Sequence, residues 1–457
     1  MSLPSAMDRR GPAARFLAAA RVFLQPRVLI VLFLGFSSGL PLALSGSTLA
    51  VRMADSGVDL GTIGLFGLVG VPYTLKFLWA PIVDALQVPV LGRLLGHRRG
   101  WLIASQILLM AAIVFLGSLD PLKVPLMVAA GALVVAIASA TQDIVIDAFR
   151  VESLKTEEQA AGMAWFVAAY RIGLLAATAG AIGLVAWLEY LGVAASLVWF
   201  YGYAAMAGLV LVGAAAALFA SEPDGDAARE RAQAARPQDN PLARLLATAR
   251  DAFADFLTKD QALAILAFVV AFKLCDTFAG IMTGPFVIDI GFDKASYAAI
   301  VKGVGLAASL GGGIAGGLIA RALPFSTALW IAAFLQMASN LVFTWQAFVG
   351  VNHAALTVTI VVENFTGAIG TVIFVAYLSS LCVNPLHTAT QFALLTALAS
   401  VGRTMLSSVS GFIADTTGWM VFFALSALAA LPGLALLWWL QRRGHFAALE
   451  PERPADN

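Results

Sequence analysis

The chain has 457 residues, 60% of them hydrophobic and 12% charged, with a mean hydropathy of +0.87 and a net charge of +1. Soluble domains carry about 25% charged residues, so these values exclude a water-soluble fold. The near-zero charge balance also excludes a nucleic-acid partner, because there is no basic excess to neutralise phosphates.

In chain order, residues 1–27 carry Arg9, Arg10, Arg15, Arg21 and Arg27. The apolar run after them continues for a full span without an A-x-A-like site, so no cleavable signal peptide is predicted. Residues 12–24 read either as a short interfacial helix or as a flexible basic tail. A hydrocarbon core of ~30 Å needs about 20 apolar residues per helix. Runs of that kind fall at 28–51, 60–83, 101–118, 122–148, 160–186, 196–220, 261–285, 293–320, 325–346, 353–378, 389–413 and 418–441. The predicted fold class is therefore all-α and integral to the membrane, with 12 transmembrane helices: one six-helix half over 28–220, a linker over 221–260, a second half over 261–441 and a tail over 442–457.

Lys and Arg orient these spans. With the N-terminus inside, twenty of them fall in the tails and inner loops, and only Arg52, Lys123 and Lys294 fall in outer loops. Both ends are predicted to face the cytoplasm. Ser221 to Asp239 reads as charged and loosely ordered. After it, Asn240 as N-cap and Pro241 as first helical residue open an amphipathic helix over 241–257. Leu242, Leu245, Leu246, Ala249, Phe253, Phe256 and Leu257 form its apolar stripe.

The halves look duplicated. Thr156-x-x-Gln159 followed by Arg171 matches Thr388-x-x-Gln391 followed by Arg403. Each set opens a span, the fifth and the eleventh. At 1.5 Å per residue each arginine lies ~18 Å inside the membrane. Two parallel repeats with a site between them at mid-depth describe the major facilitator architecture.

Nine charges lie within apolar spans: Lys76, Arg171, Lys273, Lys302 and Arg403 against Asp143, Asp147, Asp276 and Glu363. Each costs roughly 2.5–3.5 kcal/mol on insertion scales, which marks it as a functional candidate. Lys273 and Asp276 are one helical turn apart and share a face. Arginine forks grip carboxylates bidentately, so Arg171 and Arg403 are candidate clamps for an anionic solute, or else structural ion pairs between the halves. Asp276 and Glu363 are the candidate proton carriers, or else permanently paired carboxylates. Asp143, Asp147 and Arg150 share one face at the inner end of span four, and Asp84 and Arg93 lie nearby in the second loop with Arg98 and Arg99. That set reads as a charge latch closing the cytoplasmic side. Lys76, beside Tyr73, Phe77 and Trp79, either contacts solute or snorkels to the surface. Lys302 is open to the same two readings toward the outside. Gln142 is a neutral group able to face a sugar. Ser45, Ser47 and Thr48 read as helix-packing groups.

Other chemistries find no support. Gly311 to Gly313, Gly316 and Gly317 lack a Walker Lys-Ser/Thr and read as packing, not as a phosphate cradle. Cys275 and Cys382 lie within or at the end of apolar runs, so a disulfide framework is not expected. His97, His353, His387 and His445 all fall in loops or the tail, which leaves no intramembrane histidine for a metal or an acyl-transfer base. Asp143-x-x-x-Asp147 lacks the further ligands that a metal-dependent lipid transferase needs. No cofactor and no enzymatic activity are predicted.

Several stretches are similar to a known family: GFSSGLPLALSGST at 35–48, VDLGTIGLFGLVGVPYTLKFLWAPIVD at 58–84, LGRLLGHRRGWL at 91–102, ATQDIVIDAFRVE at 140–152 and ASVGRTMLSSVSGFIAD at 399–415. They resemble the AmpG-type anhydromuropeptide permeases of the major facilitator superfamily, with Gly39, Lys76, Gln142, Asp143, Asp147 and Arg403 at motif positions. The resemblance implies a proton-driven importer of N-acetylglucosaminyl-1,6-anhydro-N-acetylmuramyl peptides, working as a monomer among the lipids of a bacterial inner membrane. It further implies a place in cell-wall recycling that feeds β-lactamase induction. GRLLGHRR departs from the compact arginine cluster expected of that loop, and the extra spans of some relatives are missing. A carrier of another anionic solute, such as an acyl-coenzyme A or a small peptide, is the alternative.

Overall fold

The computed structural model describes residues 21–58, 62–63, 66–223, 241–293, 296–382, 384–447 and 449, and within these the side chains of 67, 241–246, 279, 281, 297–298, 401–409 and 411 are not described. The expected interfacial segment over 12–24, the first part of the linker and the Asn240 cap lie wholly or mostly outside these residues. Among the described residues ten helices are long and apolar enough to cross a membrane. In the first half these are α1 (Pro26–Asp55), α3 (His97–Ser118), α4 (Pro125–Ser153), α5 (Thr156–Tyr190) and α6 (Ala195–Phe219). The linker helix is α7 (Pro241–Leu257). The second half holds α8 (Ala262–Asp289), α9 (Ala299–Ala322), α10 (Phe325–Val349), α11 (His353–Leu381) and α13 (Trp419–Arg442), with α12 (Thr388–Thr417) between the last two.

The remaining span, α2, departs from the unbroken helix expected at 60–83. It runs through short pieces, Phe66–Gly70, Val71–Leu75, Lys76–Leu78 and Ala80–Ala85. Pro72 and Pro81 each open one of the α-helical pieces, at N2. A proline has no N–H for the preceding turn and its ring clashes with the carbonyl four residues back, so the helix restarts there. Lys76 sits on the 3-10 turn between the two restarts.

Without a hydrophobic drive between helices in lipid, close backbone approach decides which ones pair. Gly35 and Gly39 lie one turn apart on α1 and face Phe166 and Tyr170 of α5. A Cβ on Gly39 would stand 2.1 Å from the Tyr170 carbonyl oxygen, and one on Gly35 2.6 Å from that of Phe166. Gly173 of α5 approaches the Phe36 carbonyl in the same way, at 2.2 Å. Across α9 and α11, Gly312 and Gly316 press on the backbone of Phe365 and Ile369, at 2.2 Å and 2.9 Å. The glycine run at 311–317 is therefore a packing surface.

Each half has its own core, one around Leu40, Ile113, Val135 and Val210 and another around Phe268, Phe272, Phe374 and Tyr377. Two smaller clusters cross between halves: Ala161 and Ala164 of α5 pack with Val372 of α11, while Val83 and Phe149 pack with Ala389 and Ala393 of α12. Both crossings lie toward the face that carries loops 84–97 and 149–159, called the basic face below.

Arg52 is a second departure. The charge count puts it in an outer loop, but its side chain is buried and caps the C-terminal end of α3. Its guanidinium donates to the carbonyls of Leu116 at 2.9 Å and Gly117 at 3.1 Å and to that of Leu119, and it lies 5.2 Å from the centre of the Tyr203 ring. Carbonyls in the last turn of a helix lack the N–H of a following turn, and the helix end carries partial negative charge, so a cation is well placed there.

Gly39→Val is expected to destabilise the first half by about 1–3 kcal/mol through overpacking. Gly183→Val, where a Cβ meets nothing within 4 Å, serves as the control. Thermal melting of both variants in one detergent checks this; equal melting temperatures would remove the claim that the α1–α5 crossing is tight.

Candidate functional site

A polar cluster forms at mid-membrane where the halves meet. On α8, Lys273 Nζ lies 3.0 Å from Asp276 Oδ2, and it also donates to Thr371 Oγ1 of α11 at 3.1 Å. Its ammonium is 5.9 Å from the centre of the Phe374 ring. On α11, Glu363 accepts from Asn364 Nδ2 at 2.5 Å, and Asn364 Oδ1 accepts from Ser309 of α9 at 3.0 Å. The first half contributes Arg171 of α5, whose charged neighbours are Glu363 and Asp276. Two cations and two carboxylates from both halves thus share one locality. Lys273 and Asp276 keep 16% and 26% of their side-chain exposure, so the cluster borders open space and not a dry contact. Just beyond Arg171, α5 widens into a π-turn at Ala176–Gly180, a feature frequent at functional sites, and Thr48 donates to the Ala177 carbonyl at 2.7 Å.

Arg403 falls at the corresponding depth of α12, but its side chain lies outside the described residues. Lys302 is exposed, on the π-helical stretch Tyr297–Val304. Ser45 donates to the Pro41 carbonyl of its own helix at 2.9 Å. Thr48, by its bond to α5, serves helix packing.

Toward the basic face a second charged network joins the halves. Lys76 Nζ is 3.4 Å from Asp147, and Asp147 is 3.9 Å from Arg150. Arg150 is fully buried; Nη1 donates to Gln159 and to Ser379 of the other half, each at 3.0 Å, and the guanidinium lies 5.1 Å from the centre of the Phe392 ring. Asp84 is held at 2.7 Å by Arg98, which also grips Glu152 at 2.7 Å. The other oxygen of Asp84 accepts the Thr390 backbone N–H at 2.8 Å and its hydroxyl at 2.7 Å. Those two donors open α12 in the second half, where unpaired amides and the helix dipole favour an anion. Asp84 therefore caps a helix of the opposite half.

One member of the expected latch, Arg93, stands apart from it. Arg93 is exposed on the short helix Leu91–Leu95; of the arginines expected near Asp84, Arg98 is the one that meets it. The reason is local: Gly96 has a φ of +97° and ends that short helix, so α3 begins at His97 and carries Arg98 inward. Glu222 caps this start, accepting the N–H of Arg98 at 2.6 Å and of Arg99 at 3.0 Å. Asp143 accepts from Ser38 of α1 at 2.6 Å and has Lys76 and Asp147 as its charged neighbours, beside Gln142, whose Nε2 donates to Ser37 at 3.2 Å. Both bonds lie within the first half. Glu152, Ser379 and Thr390 escaped the sequence reading, since nothing in their spacing marks a distant partner: Arg98 in the same half for the first, and Arg150 and Asp84 in the other half for the second and third.

The duplicated glutamines serve comparable ends in different ways. Gln159 Nε2 donates to the carbonyls of Leu154 and Val151 that close α4, at 2.9 Å and 3.0 Å. Gln391 Nε2 donates to Asp255 of α7 at 2.6 Å, tying the linker helix to the second half.

Comparisons with known proteins agree with this architecture. The Major Facilitator Superfamily profile matches residues 31–390. The chain is 40% identical over 421 residues to the anhydromuropeptide permease of Escherichia coli strain K12, covering 91% of this chain and 80% of that one. It is 30% identical over 423 residues to the putative transporter AmpG 4 of Rickettsia conorii, covering 93% and 98%. Among solved structures it is similar to FucP, a Major Facilitator Superfamily transporter in the outward conformation, with a TM-score of 0.61 and 13% identity over 92% of this chain and 99% of that one. The proton:xylose symporter XylE gives 0.60 and 13% identity over 93% and 96%. The chain is a multi-pass membrane transporter and belongs to the AmpG-type family of the Major Facilitator Superfamily.

Proposed function

We propose that this protein imports anhydromuropeptides, N-acetylglucosaminyl-1,6-anhydro-N-acetylmuramic acid with its stem peptides, across a bacterial inner membrane together with protons that move inward down their gradient. The observation that carries the reading is the mid-membrane meeting of Arg171 from one half with Asp276, Glu363 and Lys273 from the other. A muropeptide brings carboxylates on its peptide and hydroxyls on its sugars. Arg171, Arg403 and Lys273 match the first; Asn364, Thr371 and, from the first half, Gln142 and Lys76 match a mixed polar solute.

The same cluster supplies a means of coupling. A solute carboxylate that takes Arg171 or Lys273 for itself leaves Glu363 or Asp276 without its cation, and a proton then takes the cation's place. Solute and proton bind together. One proton moving inward is worth about 2.3 kcal/mol per 100 mV, or roughly 50-fold accumulation, enough to scavenge a dilute solute.

The excess of Lys and Arg at the basic face supports a cytoplasmic position for it and for both termini. In that orientation the Asp84–Arg98–Glu152 and Lys76–Asp147–Arg150 networks hold the cytoplasmic side shut, and the cluster is reached from the periplasm. Import requires those networks to part. Both halves of one chain complete the site, which supports a working monomer.

Proteoliposome uptake of labelled anhydromuropeptide, with and without an imposed proton gradient, tests the reading; accumulation is expected only with the gradient. Uptake that equilibrates regardless of it would remove proton coupling, and no uptake would remove the solute. Arg171→Ala is expected to weaken solute binding about 10- to 150-fold, the loss of one charge-assisted contact worth ~1.5–3 kcal/mol. Glu363→Gln is expected to keep solute exchange across the vesicle membrane while losing gradient-driven accumulation. Loss of both activities in Glu363→Gln would assign that carboxylate to solute contact alone.

Asp84→Asn leaves Arg98 paired with Glu152 but weakens the cap on α12. It is expected to raise the labelling rate of a cysteine placed at Ser379 from the cytoplasmic side. An unchanged rate would mean that Asp84 does not hold that side shut.

A further inference from the structure

At the end of α13 the chain turns back against the second half. Gly444 has a φ of +76°, in the left-handed region that a side chain disfavours. Its N–H donates to the Gln441 carbonyl at 3.1 Å, and that of His445 to the Leu440 carbonyl at 3.2 Å. This pair of bonds is the Schellman close of a helix, and it carries His445 and Phe446 to the basic-face end of α11. Phe446 is buried in the second-half core, its ring 5.9 Å from that of Tyr377. His445 Nε2 lies 2.9 Å from the Tyr377 hydroxyl. Tyr377 is fully buried, and among the described residues His445 is the partner of its hydroxyl. A buried hydroxyl left unpaired is destabilising.

Three ties converge on this one turn of α11. Tyr377 holds the tail, Ser379 accepts from Arg150 of the first half at 3.0 Å, and the Leu381 carbonyl accepts from Lys259 Nζ at 2.5 Å. The charges around His445 are mostly positive. Arg442 and Arg443 precede it, set over the rings of Trp438 and Trp439 at 4.8 Å and 5.3 Å. The link before α8 brings Lys259 to the same end of α11, and Gln261 Nε2 donates to the Arg443 carbonyl at 3.3 Å; Asp260 between them is exposed. From α10 comes Trp330, a neutral group that donates to Gln441. Besides Tyr377, α11 leads into the Cys382 thiol, which donates to the Leu378 carbonyl. Among the described residues no carboxylate forms an ion pair with His445, and burial lowers its proton affinity. Protonation does not break the bond to Tyr377, because a tyrosine oxygen can accept as well as donate. It puts a positive charge into a half-buried site beside cations, where that charge is disfavoured.

We propose that the turn His445–Phe446 is a pH-sensitive strut on the basic-face end of α11, docked while the imidazole is neutral and released when it takes a proton. Release leaves Tyr377 unpaired and that end of α11 held by two ties in place of three, so the Arg150–Ser379 contact between the halves loosens. The docked form binds the proton less well than a free histidine does. Docking is therefore complete above about pH 6.5, the ordinary histidine value, and is lost as the pH falls below it. Acidification at the basic face makes that face easier to open.

Electron spin–spin distance measurements on the full chain in nanodiscs test this, with labels at Ala447 and at Thr327, an exposed position in the first turn of α10. A narrow distance distribution is expected at about pH 8 and a broad one at about pH 5.5, on either side of the histidine range. His445→Gln keeps a neutral hydrogen-bonding side chain and is expected to stay narrow at both. His445→Arg, charged throughout, is expected to be broad at both. A wild-type distribution that does not change, an equal change in His445→Gln, or a narrow distribution in His445→Arg would overturn the proposal. The effect on α11 is read by maleimide labelling of the native Cys382, buried at the end of that helix. Wild type is expected to label about fivefold faster than His445→Gln at about pH 5.5, a coupling at the low end of those between sites, and at the same rate at about pH 8. Equal rates at both values would overturn the link between the turn and α11. No solute is present, so the outcome is independent of which one is carried.

Discussion

A charge placed in hydrocarbon must find a counter-charge, a hydrogen bond or water, because the alternative costs several kcal/mol. The structure of this transporter follows from that constraint. Among the described residues, Lys76, Arg171, Lys273, Asp143, Asp147, Asp276 and Glu363 sit where the two halves meet or beside polar groups within a half, and such partners help to hold the halves together. Lys76 finds Asp147, Arg150 finds Ser379, and Arg171 faces Glu363 and Asp276. Apolar surface cannot do this work in a membrane, since lipid tails solvate leucine as well as another helix does.

The charged groups divide into two sets with different surroundings. At the basic face the Asp84–Arg98 pair is dry: neither has side-chain exposure, and each oxygen of Asp84 has a donor. Such a network is all or nothing, since removing one partner strands another buried charge. It suits two discrete positions of the halves. At mid-membrane the Lys273–Asp276 pair is partly exposed, so a solute can compete for the cation. A rigid latch and an accessible cluster on the same rigid halves are what alternating access requires.

Close helix packing makes the halves rigid. Gly35, Gly39 and Gly173 let α1 and α5 approach to backbone contact, and Gly312 and Gly316 do so for α9 and α11. Arg171 on α5 and Glu363 on α11 are thus carried on helices fixed within their own halves, and movement between the halves changes the distance from one to the other. The broken course of α2 adds a local freedom, since Lys76 rides on a 3-10 turn between two proline restarts.

Hydropathy runs, the excess of basic loops and the 156–171 and 388–403 echo determined the fold class, because a span is a local property of about 20 residues. The Lys273–Asp276 pair was legible for the same reason, a one-turn spacing on one helix. Proline spacing in 58–84 carried the break in α2, although apolarity alone masked it. Partners contributed by distant segments were decided by tertiary structure alone. Arg98 rather than Arg93 meets Asp84 because a left-handed glycine starts α3 at His97. Arg52 becomes a helix cap because α1 ends against α3. Asp84 caps α12 and Arg171 faces Glu363 only once the halves have docked. Sequence spacing fixes which side chains share a helix face; which faces meet depends on backbone approach between helices far apart in the chain, and that is set by packing.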